Sequence, residues 1–363
     1  AAGDPIIWIR TPESRTIVLV RDVELPRARR EIEADEVHPY EAFEPASGGS
    51  GDRAVLAAQS AAECLTRHGI DRVQADRSLA LVFVREMEAA GVRVELDLAL
   101  GVDDRRRKTD REIECMAAAQ HVSEMAIERT CSLIARAKAG ASGVLIHEAE
   151  PLTSERIKAM IDGWLAEQNY DHKGAIIAGG PIGADCHHAG TGQLRTGELV
   201  IVDIFPRDRT TGYHGDCTRT VVHGEVPDAC AKMHAAVVEA KQAGIAASHT
   251  RATGESIHLA TIEVIKRHGY SIGPAPEADL ASDKPTGFCS MPHGTGHGLG
   301  LELKEPPLLD MGGPPMVERD VVTVEPGLYA PGLGGVRLED MIVVRDGAAD
   351  NLNTLHDGLD WSS

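Results

Sequence analysis

An α+β fold in two domains is what this sequence predicts, on three observations. The chain has 363 residues, 42% of them hydrophobic, which is enough for two cores rather than one. Helical apolar stripes alternate with short β-rich runs. In the second part of the chain the same order of elements, two helices and then β-rich segments, occurs twice.

Residues 6–10 and 16–20, separated by the polar stretch 11–14, read as two strands and a turn. Residues 45–52, containing SGGSGD, read as a surface loop, because they lack the glycine-lysine spacing of a phosphate cradle. Residues 53–68 carry the stripe Val55, Leu56, Ala62 and Leu65 and end at Gly69, which suits a helix with a glycine stop. A further helix is predicted over 78–90, before Gly91. The basic run 105–108 leads into Thr109-Asp110-Arg111-Glu112, which has the form of a capping box opening a long helix over 111–139 that stops at Gly140. A boundary near 105 therefore divides a smaller α/β domain, 1–105, from a larger one, 106–363. In the larger domain, helices over 111–139 and 154–168 precede β-rich segments ending near Gly224. Helices near 228–248 and 256–268 then precede β-rich segments up to Val344.

Composition excludes several classes of function. Fifty-six acidic against 37 basic residues give a formal charge of -19, which repels a polyphosphate backbone and argues against nucleic acid as a partner. The longest apolar runs, 16–20 and 199–205, fall far short of the roughly 20 residues that span a bilayer, so no membrane partner is expected. The opening residues show no basic segment followed by an apolar stretch, an appearance that a processed start shares. Seven cysteines, at 64, 115, 131, 186, 217, 230 and 289, form no CxxC pair. They read as the reduced thiols of a cytoplasmic protein, with no spacing for a structural zinc site.

The chemistry concentrates in three stretches, 199–224, 291–309 and 321–344, where polar residues interrupt apolar runs. Asp203 sits within such a run, Glu325 ends one, and Glu339 precedes another. Each alone would be read as a salt bridge or strand-end cap. Together with Asp216, on strands packed side by side, they would put about four negative charges in one pocket, with His297 as a neutral fifth donor. Two divalent cations would balance that charge. His297 is flanked by glycines in GTGHGLG, which let the backbone approach closely. No HExxH, GxSxG or P-loop pattern occurs.

The segments GYHGDCTRT, HGTGHGLGLE, VEPGLY and GGVRLED, in that order, resemble the ligand-bearing segments of the creatinase/aminopeptidase family over roughly residues 107–345. The resemblance implies a pita-bread catalytic domain with pseudo-duplicated helices and an antiparallel sheet, preceded by a short creatinase-like N-terminal domain. It implies that Asp203 chelates one metal, Asp216 and Glu339 bridge two, and His297 and Glu325 hold the other. An oxygen-rich set with one imidazole suits manganese first, with cobalt, zinc or iron as alternatives. The implied activity is hydrolysis of the bond between an N-terminal residue and a following proline, by an Xaa-Pro aminopeptidase or dipeptidase using a metal-bridging hydroxide. The N-terminal domain favours the proline-directed members and, by resemblance, a homodimer acting on small peptides. The alternatives are a metal-dependent hydrolase of another small amide and a non-catalytic peptide-binding module of the same fold.

Further roles fall to Glu325, His187, His293 and Lys304. Glu325 is the candidate to relay the proton from water to the leaving nitrogen. His187, with His188 beside it, falls where the family has a histidine contacting substrate or transition state, and His293 could line the pocket or serve a turn. Lys304 stands where the family reads a histidine near the scissile bond, and a lysine there could hold a substrate carbonyl or carboxylate. The interval from Asp203 to Asp216 is also two residues longer than the family's, which enlarges the intervening turn. Arg337 and Tyr213 read as packing residues beside ligands, and Cys217 as facing away from the pocket by strand alternation.

Overall fold

The computed structural model describes residues 3–280 and 284–362, and the chain divides into two compact units, 1–103 and 104–363. In the smaller unit, β1 (Ile7–Arg10) pairs antiparallel with β2 (Thr16–Val20), and β2 pairs parallel with β3 (Glu36–Pro39), after helix α1 (Leu25–Glu31). Helix α2 (Arg53–Arg67) starts where Asp52 accepts from the N–H groups of Ala54 and Val55, leaving two fewer orphan donors at its end. It buries Ala57, Ala58, Ala61 and Leu65 against Ile17 and Leu19 in one core. Strands β4 (Arg72–Ala75) and β5 (Arg93–Leu96) form a parallel pair connected by α3 (Leu81–Ala89).

The larger unit begins with α4 (Val102–Arg106), which straddles the division, and α5 (Asp110–Ala135). The Thr109–Glu112 capping box is formed in both directions. The helix ends at Ala135 rather than at 139, because Lys138–Ala139 is used as strand β6. Its partner is β7 (Leu145–His147), which pairs in turn with β8 (Glu150–Pro151). The backbone groups of 138 and 139 thus go to a hairpin instead of a last helical turn.

Helix α6 (Ser154–Glu167) follows, then β9 (Tyr170–Asp171), β10 (Ala175–Gly179), β11 (Leu199–Ile204), β12 (Arg207–Asp208) and β13 (Cys217–Val222). The antiparallel order is β10-β11-β13, and its inner face joins α5 and α6 in a core that includes Ile127, Ile161, Val202 and Cys217. Helices α7 (Asp228–Ala247) and α8 (Gly254–Arg267) open the second half. Strands β14 (Ser271–Ile272), β15 (Ser290–Met291), β19 (Gly327–Ala330) and β20 (Gly334–Arg337) make one sheet. Strands β16 (Gly296–Gly298), β17 (Glu305–Leu309), β18 (Val321–Val324), β21 (Asp340–Val343) and β22 (Asp350–Asn351) make another, in the order β17-β16-β18-β21-β22. An isolated bridge between Thr218 and Glu339 ties the first-half sheet to the start of β21. The acidic residues meet at that seam.

Candidate metal centre

Strand alternation brings the first two carboxylates together. Asp203 lies opposite Thr218 in the β11–β13 ladder, and Asp216 is two residues before Thr218, so all three share a face. Cys217 points the other way, into the core of α5 and α6. The extended loop between the aspartates is accommodated by β12, which pairs with β9, and by a turn in which the Gly212 N–H donates to the Asp208 carbonyl. Gln120 of α5 clamps Asp216 from behind. Its amide oxygen accepts from the Asp216 N–H at 2.8 Å, and its amide nitrogen donates to the Asp216 carbonyl at 2.7 Å.

His297 comes from β16, where only glycine fits on either side. A Cβ at Gly296 would lie 2.0 Å from the Thr323 carbonyl oxygen, and one at Gly298 would lie 2.4 Å from that of Pro306. The His297 Nδ1 faces the Gly298 carbonyl at 3.0 Å. A carbonyl only accepts, so Nδ1 carries the proton and Nε2 turns a lone pair toward the acidic residues. That Nε2 lies 3.3 Å from a Glu325 oxygen and 3.9 Å from Asp216 Oδ2. One donor atom each from Asp216, His297 and Glu339 lie within 4.8 Å of one another. Thr218 donates to Glu339 Oε2 at 2.7 Å, and Thr323 donates to Glu325 at 3.2 Å.

The electrostatics are those of an acidic site short of positive charge. Burial first, then Glu339, Asp203 and Glu325, push the Asp216 carboxyl well above its ordinary range. Burial and the neighbouring Glu325 and Asp203 do the same to Glu339. Asp203 is raised by burial despite Arg337, whose Nη2 donates to its Oδ2 at 2.5 Å. Its other oxygen, Oδ1, is buried without a hydrogen-bond partner. Burial also acts to raise Glu325, but His297, His293, Arg337 and Lys304 together bring it below the ordinary value. An orphaned carboxylate oxygen, two carboxyls forced up by burial and neighbouring carboxylates, and an imidazole lone pair all fit divalent cations.

The other predicted residues are placed as follows. His293 is engaged on both nitrogens, by the Gly294 carbonyl at 2.8 Å and by the Tyr329 hydroxyl at 2.9 Å. Arg337 donates to Tyr329 at 2.9 Å, so a hydrogen-bonded chain runs Asp203, Arg337, Tyr329, His293. His187 is exposed on the loop after β10, with its N–H donating to Asp185 Oδ1. His188 Nδ1 accepts from the Gly190 N–H and serves its own turn. Tyr213 donates to Glu112, not to any of the five candidate ligands. Lys304 is exposed, and its charge acts on Asp216 and Glu325.

Sequence reasoning missed Thr218, Thr323 and Tyr329, although a period of two from Asp216 and from Glu325 reaches all three. It also missed Gln120, which carries no local signal, because its partner is 96 residues away.

Comparison with known proteins adds the relationship. The family described as metallopeptidase family M24 matches residues 114–346. A probable dipeptidase PepE of Mycobacterium tuberculosis is 32% identical over 225 residues, 60% of this chain and 55% of that protein. An Xaa-Pro dipeptidase of Pyrococcus furiosus is 29% identical over 231 residues, 62% of this chain and 60% of that protein. The chain thus spans little more than half the length of the curated relatives it matches. Among solved structures, an Xaa-Pro dipeptidase from Bacillus anthracis superposes with a TM-score of 0.78 at 22% identity, covering 99% of this chain and 90% of that one. The prolidase from Pyrococcus furiosus gives 0.72 at 21% identity, covering 94% and 88%. The fold is the pita-bread α+β fold of these neighbours.

Proposed function

The chain belongs to metallopeptidase family M24, and from that premise we propose that it hydrolyses the bond between an N-terminal residue and a following proline, as an Xaa-Pro aminopeptidase or dipeptidase. The observation that carries the reading is the meeting of Asp216, His297 and Glu339 within 4.8 Å at a buried, acidic seam. Asp203, Asp216, His297, Glu325 and Glu339 would hold two divalent cations there, manganese first. When bound, such a pair acidifies a water and polarises the scissile carbonyl.

The chain's own residues do the rest. The lone pair on His297 Nε2 is fixed by the Gly298 carbonyl, so no reorganisation is needed to offer it. Glu325 is held as an ionised carboxylate, takes the proton of the attacking water and delivers it to the leaving nitrogen. The Thr323 hydroxyl keeps it in place for both transfers. His293, tied at both nitrogens, orients Tyr329 and Arg337 rather than moving a proton itself. His187, exposed on the loop after β10, would contact the substrate. The reading also includes a cytoplasmic homodimer; seven free cysteines suit a reducing compartment.

A second reading, hydrolysis of another small amide, is favoured by Lys304 alone. The test of both is hydrolysis of Xaa-Pro dipeptides and Xaa-Pro-Yaa peptides by metal-stripped protein, with manganese, cobalt or zinc added back in turn. Metal-restored cleavage before proline is expected. Silence on every peptide from a protein that binds two metals would discard the proline-directed reading in favour of the second.

A further inference from the structure

The segment that follows β22 lies beyond the residues the family matches, 114–346, yet it reaches the back of the centre. The Thr354 and Leu355 N–H groups donate to Glu124 of α5, and the Val222 N–H at the end of β13 donates to the Leu359 carbonyl at 3.1 Å. Trp361 is buried in the core of α5 and α6, and Leu359 in the core built on α7 and α8. The segment is thus a strap held by both halves of the larger unit. Asn353, within it, has its amide orientation fixed by its partners. The Met341 N–H can only donate, so the Asn353 atom 2.8 Å from it is Oδ1. That oxygen also accepts from Gln120 Nε2 at 3.0 Å, and Asn353 Nδ2 faces the Cys217 Sγ at 3.4 Å.

Gln120 gives its other amide hydrogen to the Asp216 carbonyl and turns its oxygen to the Asp216 N–H. Met341 is two residues beyond Glu339, whose own N–H donates to the Thr218 carbonyl at 3.0 Å. One side-chain oxygen therefore connects the backbone that carries Asp216, through Gln120, with the backbone that carries Glu339, through Met341. These are the two carboxylates expected to be shared between cations. A single cation can draw either of them to itself by a small adjustment, whereas two cations at once need both in a fixed relation. Gln120 leaves little slack in the link, because it is fully buried and both of its amide hydrogens are engaged.

We propose that Asn353 is a positioning residue that holds the backbones of Asp216 and Glu339 in register and so lets the centre take up its second cation. This rests on the two-cation reading above and not on the choice of substrate. The test is calorimetric titration of the metal-stripped protein with manganese, beside its melting temperature. Wild type is expected to take up two ions. Asn353→Leu, which keeps the size and removes the oxygen, should hold the first ion within about threefold of wild type and the second about tenfold more weakly. Asn353→Asp keeps the accepting oxygen and should restore the second step. Gln120→Met cuts the same link from its other end and should match the leucine variant. Thr354→Val loses a strap bond to Glu124 at 3.1 Å but none to Gln120 or Met341, and should bind both ions as wild type does. Second-ion binding that is unchanged in Asn353→Leu and Gln120→Met, or weakened equally in Thr354→Val, overturns the positioning role. A wild type that takes up fewer than two ions overturns the two-cation reading and this inference with it.

Discussion

Glu339 and Asp340 are neighbours in the chain, both buried, and their carboxyl groups behave in opposite ways. Glu339 lies beside Asp216 and is driven up by burial and by the charges of Glu325 and Asp203. Asp340 points to the other side of the strand. There the Arg219 Nη2 donates to it at 2.8 Å and the Lys241 Nζ at 2.7 Å. Burial alone would raise Asp340, yet the two cations hold it below the ordinary carboxylate range. One carboxylate has its positive charge built into the protein, and the other lacks it. A buried acid that the fold has paired is part of the fold, whereas one left crowded with its own kind is a place for a cation from outside.

Removing a charge on each side should therefore have opposite consequences. Glu339→Gln keeps the shape and the bond from Thr218 but removes a donor from the acidic seam. Metal-dependent turnover should fall by about a thousandfold, with the lost metal read by mass spectrometry of the dialysed protein. The metal-stripped variant should melt no lower than the wild type, because one member of a repelling group has gone. A variant that melts lower, with metal content and rate intact, would reverse the roles assigned to the two carboxylates.

Asp340→Asn is the counterpart. It leaves Arg219, fully buried, with only Asp357 at 3.6 Å, and Lys241 with the same Asp357 at 2.5 Å. Breaking a buried pair from one side should cost about 3 kcal/mol, measured by urea denaturation of the metal-stripped protein. The folded variant should still take up metal. Unchanged stability would mean that Arg219 and Lys241 are held by the carbonyls of Glu339, Leu355 and His356 and by Asp357.

How much of this contrast could be read from the sequence follows from its geometry. Asp203, Glu325 and Glu339 stood out because each breaks an apolar run, and the structure brings Asp216, His297 and Glu339 together. Asp340 follows Glu339 directly, and only strand alternation hints that it belongs to the opposite face. Its partners could not be inferred, since Arg219 and Lys241 lie 121 and 99 residues away on other elements. The end of α5 at Ala135 was hidden for a similar reason. Nothing local tells residues 138 and 139 that a strand at 145–147 will compete for their backbone hydrogen bonds. The segment after Val344 carried no periodic signal. Even so, Glu124 of α5 accepts from the N–H groups of Thr354 and Leu355 at 2.6 and 3.0 Å, fastening that segment behind the centre.

A third carboxylate sharpens the comparison, because it is satisfied without any cation. Glu155, in the first turn of α6, accepts from the Thr191 hydroxyl at 2.7 Å and from the Gly192 N–H at 3.0 Å. The Thr191 bond first, then the Gly192 N–H, bring its pKa down to about 2. The folded value lies below that of the unfolded chain, so ionised Glu155 contributes its full stability above the ordinary carboxylate pKa. That contribution is lost as pH falls through about 2. Glu155 is exposed, and solvent screening keeps the effect small. Glu155→Gln should therefore lower Tm by only roughly 1 °C near neutral pH, and the difference from wild type should shrink as pH is lowered from 6 to 3. A gap that widens with acid would mean that the carboxylate is strained in the fold rather than held by its donors. In that case donors without charge would not be enough to keep an acid ionised, and the distinction between Glu339 and Asp340 would rest on protein cations alone.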